Sequence, residues 1–516
     1  MSNLKFTNRS TSTFTGLLVF FVPFFTYLST DNLRQLTRLD ILEILISLII
    51  ILILIFISAL SIEILIKRFF NKKIILFHLF CFVFYLNFLF SPFSEVVQQF
   101  LYQDFGFTFE SYIFLFFELF CIAIIALGVK FHVFSIRMIL IFSLLMMFKA
   151  FIPIINYLGE NIKKEKNISY EISSNSPIQN TKLIDRNVYY IILDEMAAAE
   201  TAEQYNIATQ KEIQDALSDT KLKYIDKSQS TYTTTYMTLA SIMLLDYHQV
   251  PSSQKYFDRS NFFPFMMFKN HNEVPLISHL KKANSSLIWS GNIRGSCRPS
   301  KNYSCLDYSN DISLRNSMEF YLTTPLLKIY RRIFNNNPEP LQLSINKFLD
   351  HIDNNGLPKT KFFAFIHHLS PHEPFLVTHD CMPTNYLNRY LEGYKASYHC
   401  ALKTVKIFME KINTIDPEAI VIFQADHGLI GSMTIDLLEL NENEKELLGG
   451  KIFNAIKAPN ECFENYGLPK NNVNTIRFAL NCAYGFQLPY RDNVHYQSFY
   501  ESSPNYGMVV QKILYE

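Results

Sequence analysis

The sequence predicts an α/β domain with a largely parallel sheet, preceded by a membrane domain of about five helices. Long apolar segments are confined to residues 1–157, and beyond residue 187 short β-rich runs alternate with amphipathic stretches. That alternation is typical of βαβ units, whose strands pair in parallel. Only 18% of the residues are charged and 49% are hydrophobic. Because a soluble protein carries about 25% charged residues, this composition indicates contact with lipid and excludes a disordered, collagen-like or small disulfide-rich chain.

The membrane domain is predicted from five apolar segments. A helix needs about 20 residues to cross a hydrocarbon core of about 30 Å, and the second segment, with the run LISLIIILILIFISAL, meets that need most clearly. The first segment is short and contains Pro23. Since Lys5 and Arg9 precede it, a cleavable signal peptide is the alternative interpretation. The five segments are Thr15–Ser29, Ile41–Ile66, Ile74–Phe93, Tyr112–Val129 and Val133–Tyr157.

The basic residues of the connecting loops predict the orientation. Four Lys and Arg residues lie between the second and third segments, and Lys130 and Arg137 flank the link between the fourth and fifth. The link from 94 to 111 contains acidic residues and no basic one. Loops rich in Lys and Arg stay in the cytoplasm. With the N-terminus inside, five crossings place the chain beyond residue 157 outside the cytoplasm, which for a bacterial inner membrane means the periplasm.

The overall charge bears on nucleic-acid binding. Lys plus Arg number 47 and Asp plus Glu number 46, so the formal net charge is +1. A protein that binds nucleic acid carries a basic excess. The sequence therefore gives no support to a nucleic-acid partner.

The chain beyond the membrane domain (1–159) divides into a polar linker (160–186) and a folded extracytoplasmic domain (187–516). Six of the eight cysteines fall in that domain, an even number that suggests disulfides in an exported protein. Six thiols allow 15 pairings, and free thiols or a metal cluster are the alternatives. The shortest loops favour Cys297–Cys305, Cys381–Cys400 and Cys462–Cys482.

Three of four predicted strands end in side chains that bind metals. The runs are NVYYIIL (187–193), SSLIWSG (285–291), KFFAFIH (361–367) and AIVIFQA (419–425). In an open parallel sheet, ligands sit beyond the carboxyl ends of the strands. Carboxylates and imidazoles are the donors that a divalent cation selects. The sequence therefore predicts a metal site at that edge, built from residues among Asp194, Glu195, His367, His368, His372, Asp426 and His427.

A nucleophile for group transfer is predicted in the hydroxyl-rich segment SQSTYTTTYMTLASIMLL (228–245). Thr235 stands where an apolar helix is expected to begin. At a helix N-terminus its oxygen would meet backbone N–H groups and the positive end of the dipole, a setting suited to phosphate. A bound metal would favour its alkoxide.

Each of these features has an ordinary structural explanation. An Asp after a strand is commonly a turn former or helix cap, a Thr before a helix is commonly an N-cap, and a buried His commonly satisfies its own hydrogen bonds. The combination of a strand-terminal acid, a DHG and an HHLSPH is what favours a metal-dependent enzyme.

In order along the chain, NVYYIILDE, TYTTTYMTLAS, HHLSPHEPF and FQADHGLIG resemble the sulfatase-like branch of the alkaline phosphatase superfamily. Phosphoethanolamine transferases of lipid A and lipoteichoic acid synthases are the members with a similar architecture, since both have five membrane helices before an extracytoplasmic catalytic domain. The resemblance covers the chain from Asn187 onward and implies an alkaline-phosphatase-like sheet flanked by helices.

The resemblance also implies roles for individual residues. Thr235 would be the nucleophile and a metal ligand beside Asp194, Asp426 and His427, and His372 would bind or protonate the substrate phosphate. His367 or His368 would assist His372. Glu195 is a second possible ligand, because some sulfatases use two adjacent acids at this place. Phosphoethanolamine transferases usually have Gly-Glu where this chain has Asp-Glu, which leaves the register open by one residue.

One departure separates the chain from true sulfatases. Those enzymes convert Cys or Ser of a C/S-x-P-x-R motif to formylglycine soon after the first strand. Cys297 begins CRPSK, which has Lys in place of Arg, follows a further strand, and has a disulfide partner available in Cys305. We therefore do not expect Cys297 to be a nucleophile.

The function implied is a membrane-anchored transferase that moves a phospholipid headgroup, phosphoethanolamine or phosphoglycerol, through a phosphothreonine to an envelope glycolipid or glycan. One divalent cation is expected, zinc first and manganese as the alternative. Two other hypotheses remain: a metal-dependent phosphodiesterase or sulfatase-type hydrolase that uses water, and an inactive membrane-anchored binding protein.

Overall fold

The structure is a computed structural model of the chain. It describes residues 8–29, 38–70, 76–86, 120–164 without 122, 126, 128 and 129, 186–248, 250, 263, 266–267, 274–291, 303–306, 344–373, 375, 377–384, 390–430, 442–498 and 509–515. The described residues up to Lys164 form one compact unit, the N-terminal unit, and those from Arg186 onward form a second, the C-terminal unit.

The N-terminal unit is helical over most of its described residues. By length and composition, two stretches within the described residues are able to cross a membrane, namely Ile44–Phe69 and Phe134–Ile155. The helices named here are α1 (Asn8–Ser29), α2 (Arg38–Phe70), α3 (Phe77–Leu86) and α4 (His132–Lys164).

The structure therefore supports two of the five predicted spans rather than all five. The first predicted span lies in α1, where the apolar stretch Ser10–Thr26 is shorter than the roughly 20 residues of a typical crossing, although α1 continues through Pro23. The third corresponds to α3, which is described only over Phe77–Leu86. Much of the fourth, Tyr112–Val129, lies outside the described residues.

The two long helices expose their apolar side chains. In the most apolar window of each, only 18% of α2 and 17% of α4 is buried. The core helix of a soluble protein buries such a surface against its neighbours. In this respect the two helices differ from the core helices of a soluble protein.

The C-terminal unit alternates strands and helices. Its helices are α5 (Ala199–Gln204), α6 (Gln210–Leu217), α7 (Thr235–Leu244), α8 (Pro275–Lys282), α9 (Ser344–Asn355), α10 (Tyr390–Ile415), α11 (Glu442–Gly450), α12 (Asn460–Tyr466) and α13 (Asn472–Tyr484). Its strands are β1 (Val188–Leu193), β2 (Lys223–Tyr224), β3 (Ser286–Ser290), β4 (Tyr303–Cys305), β5 (Phe362–His368), β6 (Ile420–Gln424), β7 (Asn454–Lys457), β8 (His495–Ser498) and β9 (Val509–Lys512).

Seven of these strands form one mixed sheet in the order β2-β7-β6-β1-β5-β3-β4. The strands β6, β1, β5, β3 and β4 are parallel, whereas β7 and β2 add an antiparallel edge. The four strands predicted from the sequence are β1, β3, β5 and β6, and all four are confirmed. β8 and β9 form a separate antiparallel hairpin.

Alternate residues of the central strands face two different cores. Tyr189, Ile191 and Leu193 of β1 pack with α5, α6, α9 and α10, whereas Val188 and its alternates pack with α7, α8 and α13. Because side chains along a strand alternate between faces, the residues just after β1, β5 and β6 are divided between the same two sides. The side of α7 receives Asp194, His367 and Asp426, which share the parity of the second core.

Two of the three predicted disulfides are present. Cys381 is bonded to Cys400 and Cys462 to Cys482. Cys305 is also disulfide-bonded, and its predicted partner Cys297 lies outside the described residues.

Candidate active site

The side chains of Asp194, Asp426 and His427 converge at the carboxyl edge of the sheet. Ligand atoms from the three residues lie within 4.8 Å of one another. Asp194 directly follows β1 and Asp426 follows β6 after one residue, and the two strands are paired in parallel, so their ends meet at one edge. All three side chains are buried, with at most 3% exposed.

His427 presents a ring nitrogen to the centre of this cluster. Its Nδ1 lies 2.9 Å from the carbonyl oxygen of Gly428 and donates to it, which leaves the lone pair of the neutral ring on Nε2. Nε2 lies 3.6 Å from Asp194 Oδ1 and 3.6 Å from Asp426 Oδ2. Neither of these carboxylate oxygens has a hydrogen-bond partner among the described residues.

Thr235 brings a hydroxyl to the same nitrogen. It is the first residue of α7, and its Oγ1 lies 3.1 Å from His427 Nε2. The preceding residue, Thr234, is at the N-cap position, but its side chain does not accept a hydrogen bond from the first turn of the helix. The side chain of Thr235 therefore points into the cluster at the positive end of the α7 dipole.

His367 holds the second oxygen of Asp194. Its Nε2 lies 3.0 Å from Asp194 Oδ2, and both groups are almost fully buried. His368 lies on the opposite face of β5 because strand residues alternate, and its ring nitrogens have no hydrogen-bond partner among the described residues. Of the two histidines that the sequence left as alternatives, His367 is therefore the one that contacts the cluster of Asp194, Asp426 and His427.

Glu195 is not part of that group of three. Its backbone is left-handed, with φ of 64°, a conformation that costs a non-glycine residue about 1–3 kcal/mol. Its Oε1 accepts a hydrogen bond from the amide of Ile430 at 3.1 Å, and its Oε2 lies 3.9 Å from His372 Nε2. The carboxylate is therefore held by Ile430 and lies beside His372, while its backbone amide donates to Asp426 Oδ1 at 3.1 Å.

His372 lies at the outer side of the site. Its side chain is 33% exposed, its ring centre is 6.4 Å from that of His427, and its Nδ1 donates to the carbonyl oxygen of Glu373. Its Nε2 therefore faces the site. Burial lowers the pKa of His372, but Asp194 and Glu195 raise it by more, to about 9, so the ring is protonated near neutral pH.

The acidic groups of the site respond differently to burial. Burial favours the neutral form of Asp194, yet His372, His367 and His427 hold its pKa at about 2. Burial dominates at Glu195 and raises its pKa to about 7 against the opposing effect of His372. The pKa of His427 is raised because its acidic neighbours outweigh burial. The cluster thus attracts positive charge.

The residues fit a divalent cation. Two unpartnered, buried carboxylate oxygens and the lone pair of His427 Nε2 face one another, and such groups are normally satisfied. Two carboxylate oxygens, one imidazole nitrogen and, as a fourth donor, the hydroxyl oxygen of Thr235 make a donor set that suits zinc. The other nitrogen of His427 and the other oxygen of Asp194 are fixed by hydrogen bonds, as the donors of a metal site usually are.

The backbone of residues 449–451 connects three loops of the site. It accepts hydrogen bonds from the amides of Gly428 at 2.7 Å, Ser230 at 2.8 Å and Ala198 at 3.2 Å. These amides belong to the loops that carry His427, Thr235 and Asp194. A Cβ at Gly428 would lie 2.2 Å from the carbonyl oxygen of Leu448, so only glycine fits this approach.

Two supporting features were not found from the sequence. Tyr394 of α10 donates to the carbonyl oxygen of Glu195 at 2.7 Å and accepts from the amide of Ala197 at 3.1 Å, which fixes the turn after β1. The strand β8 hydrogen-bonds the loop before α7, with the amide of Tyr496 2.9 Å from the carbonyl oxygen of Thr231. Nothing in the local pattern around Tyr394 or β8 signals these contacts.

Comparison with known proteins gives similarity of structure only. No family profile matches the chain, and no curated protein matches it. Among solved structures, the integral membrane lipooligosaccharide phosphoethanolamine transferase A from Neisseria meningitidis is 13% identical, with 89% of this chain and 90% of that chain covered and a TM-score of 0.33.

Two further structures give similar values. Lipoteichoic acid synthase LtaP from Listeria monocytogenes is 17% identical, with 60% of this chain and 76% of that chain covered and a TM-score of 0.35. The C-terminal periplasmic domain of EcEptC from Escherichia coli, in complex with Zn, is 11% identical, with 63% and 92% covered and a TM-score of 0.37. These proteins are of the kinds that the sequence resembles.

Proposed function

We propose that the protein is a membrane-anchored, metal-dependent transferase that moves a phospho-headgroup from a membrane phospholipid to a cell-envelope glycolipid or glycan. The headgroup would be phosphoethanolamine or phosphoglycerol, and Thr235 would carry it as a phosphothreonine diester. One observation supports this above the others. The hydroxyl of Thr235 lies 3.1 Å from His427 Nε2, beside two buried carboxylate oxygens that have no partner among the described residues.

Asp194, Asp426, His427 and Thr235 would hold the cation, with zinc expected and manganese as the alternative. When bound, it would stabilise the Thr235 alkoxide and the negative charge that develops on the phosphoryl oxygens. His367 would keep Asp194 in position through the hydrogen bond to Oδ2. Glu195 faces His372, so we assign Glu195 to the surroundings of that ring.

In the first half-reaction, Thr235 Oγ1, already deprotonated, would attack the phosphorus of the donor. The bond from Oγ1 to phosphorus forms, the bond from phosphorus to the diacylglycerol oxygen breaks, and that oxygen takes a proton from His372. In the second, an acceptor hydroxyl attacks the phosphorus, its proton passes to His372, and the bond to Thr235 breaks, which returns Thr235 Oγ1 to its deprotonated form. The partly exposed position of His372, with Nε2 facing inward, suits this exchange.

Membrane anchoring fits this chemistry, because donor and acceptor are both confined to a bilayer surface and holding the site there reduces the entropic cost of encounter. We place the protein in a bacterial inner membrane, with several spans and with the C-terminal unit in the periplasm. The exposed apolar surfaces of α2 and α4 and the disulfides of the C-terminal unit support this placement.

The test uses Thr235→Ala beside two controls. The full chain in detergent is mixed with vesicles that contain headgroup-labelled phosphatidylethanolamine or phosphatidylglycerol, with and without an acceptor glycolipid. We expect Thr235→Ala to lower transfer by at least 1,000-fold (about 4 kcal/mol) and to abolish the labelled Thr235 peptide in mass spectra. Thr235→Ser should keep part of the activity, and Thr234→Ala should keep most of it.

Undiminished transfer by Thr235→Ala would refute the assignment of the nucleophile. Release of label into water at the same rate with and without an acceptor would identify a hydrolase instead. No turnover in the unaltered protein, together with no metal bound, would favour the inactive binding protein.

A further inference from the structure

Helix α13 begins between two loops of the active site. Its N-cap, Asn471, accepts a hydrogen bond from the amide of Asn474 at 2.7 Å, and every residue of the helix is buried. Its first residue, Asn472, is fully buried. A side chain at this position is therefore held by a fixed backbone and has no freedom to move into solvent.

The side chain of Asn472 contacts both loops at once. Its Nδ2 donates to the carbonyl oxygen of Ala425 at 2.9 Å, and its Oδ1 accepts from the amide of Thr231 at 2.9 Å. Ala425 directly precedes the proposed ligands Asp426 and His427. Thr231 lies in the loop that leads into α7, which begins with the proposed nucleophile.

These two hydrogen bonds use the side-chain amide of Asn472 both as a donor and as an acceptor. The carbonyl of Ala425 needs a donor and the amide of Thr231 needs an acceptor, and no other uncharged side chain of this size supplies both in one plane. Breaking either of these buried hydrogen bonds is costly, because it leaves a backbone group without a hydrogen-bond partner. Asn472 therefore links the two loops through a single side chain, in addition to the backbone contacts of residues 449–451.

We propose that Asn472 is a positioning residue that sets the nucleophile loop against the metal-binding loop. The proposal rests on the proposed function for its consequence in catalysis. Asn472 is not one of the residues that would bind the phosphate or the cation. Its effect is to hold the peptide before Asp426 at a fixed distance from the loop before Thr235, so that the hydroxyl and the metal ligands share one centre.

Asn472→Asp is the most direct test because it has the same shape. It keeps the acceptor for Thr231 and loses the donor to Ala425, whose carbonyl then faces a carboxylate. Supporting groups of metal sites typically change affinity or activity by about 10–100-fold. We expect the variant to lower kcat and the zinc affinity of the full chain, measured by competition with a chelator, by about that factor. The KM for the labelled phospholipid should change less than about twofold, because Asn472 does not reach the substrate.

Asn474→Asp is the matched control. Asn474 is on the same helix, is equally buried, and hydrogen-bonds the backbone of Arg491 with both its oxygen and its nitrogen, away from the site. It should lower stability in urea by a similar amount and leave kcat and zinc affinity unchanged. Asn472→Ser, which adds no charge and whose single hydroxyl cannot replace both hydrogen bonds, should change kcat and zinc affinity in the same direction as Asn472→Asp, so that the test does not depend on one variant folding.

Equal losses in Asn472→Asp and Asn474→Asp would show a merely structural role and overturn the proposal, as would unchanged kcat and zinc affinity in both Asn472 variants. If the unaltered protein transfers no headgroup, the proposed function fails. The zinc-affinity comparison then still decides whether Asn472 positions the ligands.

Discussion

At the scale of single residues, the two acids that end β1 have different surroundings although they are adjacent. Asp194 continues the strand, and its Oδ1 lies 3.6 Å from His427 Nε2. Glu195 has a left-handed backbone, and its carboxylate is held by the amide of Ile430 instead. The sequence leaves the ligand open between them, because the sign of φ at a glutamate cannot be inferred from its type.

This difference predicts which acid binds the metal. Asp194→Asn is expected to reduce zinc affinity by at least about 100-fold, because it removes a charged donor from a buried site. Glu195→Gln should bind zinc almost as tightly as the unaltered protein, and it should lower turnover because it changes the surroundings of His372. Equilibrium dialysis against a zinc buffer measures the affinities. A larger loss of zinc in Glu195→Gln than in Asp194→Asn would reverse the assignment.

At the scale of elements, the hairpin of β8 and β9 holds the loop before the nucleophile. The amide of Ser498 donates to Thr233 Oγ1 at 2.9 Å. His495 Nδ1 lies 2.8 Å from the carbonyl oxygen of Ser230 and donates to it, while its Nε2 has no hydrogen-bond partner among the described residues. A proton added at Nε2 would therefore be a buried, unpaired charge.

Stability should depend on pH through this histidine. Burial lowers the pKa of His495 from 6.5 to about 4, against the opposing hydrogen bond to Ser230. Between these values the unfolded chain binds a proton that the folded chain does not. The neutral form of His495 therefore contributes fully to the free energy of unfolding above pH 6.5. This contribution falls by about 3 kcal/mol as the pH falls from 6.5 to 4. Urea unfolding at several pH values measures it.

His495→Asn supplies the control for this prediction. The Asn amide can still donate to the carbonyl oxygen of Ser230, and it does not titrate. Between pH 6.5 and 4, the unfolding free energy of the unaltered protein should fall by about 3 kcal/mol more than that of the variant. Identical pH profiles would contradict the prediction.

The elements differ in how far the sequence predicts them. The strands β1, β5 and β6 are fully buried and mostly apolar, so a short apolar run in the sequence is enough to predict each of them. The strand β7 has four residues and β2 has two, which is too short for a periodic signal. In α13, buried Asn side chains hydrogen-bond to backbone groups outside the helix, so their polarity wrongly suggests a surface.

The candidate site divides in the same way. The strand ends could be predicted, because an acid or a DHG after an apolar run is local information. The division of His367 and His368 between faces follows from alternation once the end of β5 is known. Asn472 and Tyr394 act across hundreds of residues of sequence, on Thr231 and Glu195 respectively, and only the folded chain brings them there.

At the scale of the whole molecule, the chain joins a helical unit with exposed apolar surfaces to a disulfide-bonded α/β unit. Helix α2 is hydrophobic on all sides, as helices in the core of a large protein or in a membrane are, and only 18% of its most apolar window is buried. For the proposed location, the positive-inside rule predicts a direction across the bilayer, with the basic residues after Ile66 in the cytoplasm.

That direction predicts the result of proteolysis from outside. In intact spheroplasts, added protease should remove an epitope at the C-terminus, and an epitope at the N-terminus should remain protected until the membrane is permeabilised. Immunoblots of both epitopes, with a cytoplasmic protein as the control for leakage, measure this. Protection of the C-terminal epitope in intact spheroplasts would place the C-terminal unit in the cytoplasm and contradict the proposed location.

The left-handed glutamate at the end of β1 has a consequence for protein engineering. Glycine at position 195 would relieve backbone strain of about 1–3 kcal/mol, so a library sorted by melting temperature would favour Glu195→Gly. The same change deletes the carboxylate that faces His372. Stability and turnover therefore favour different residues at position 195, and a thermostable variant of this protein has to be selected for both properties.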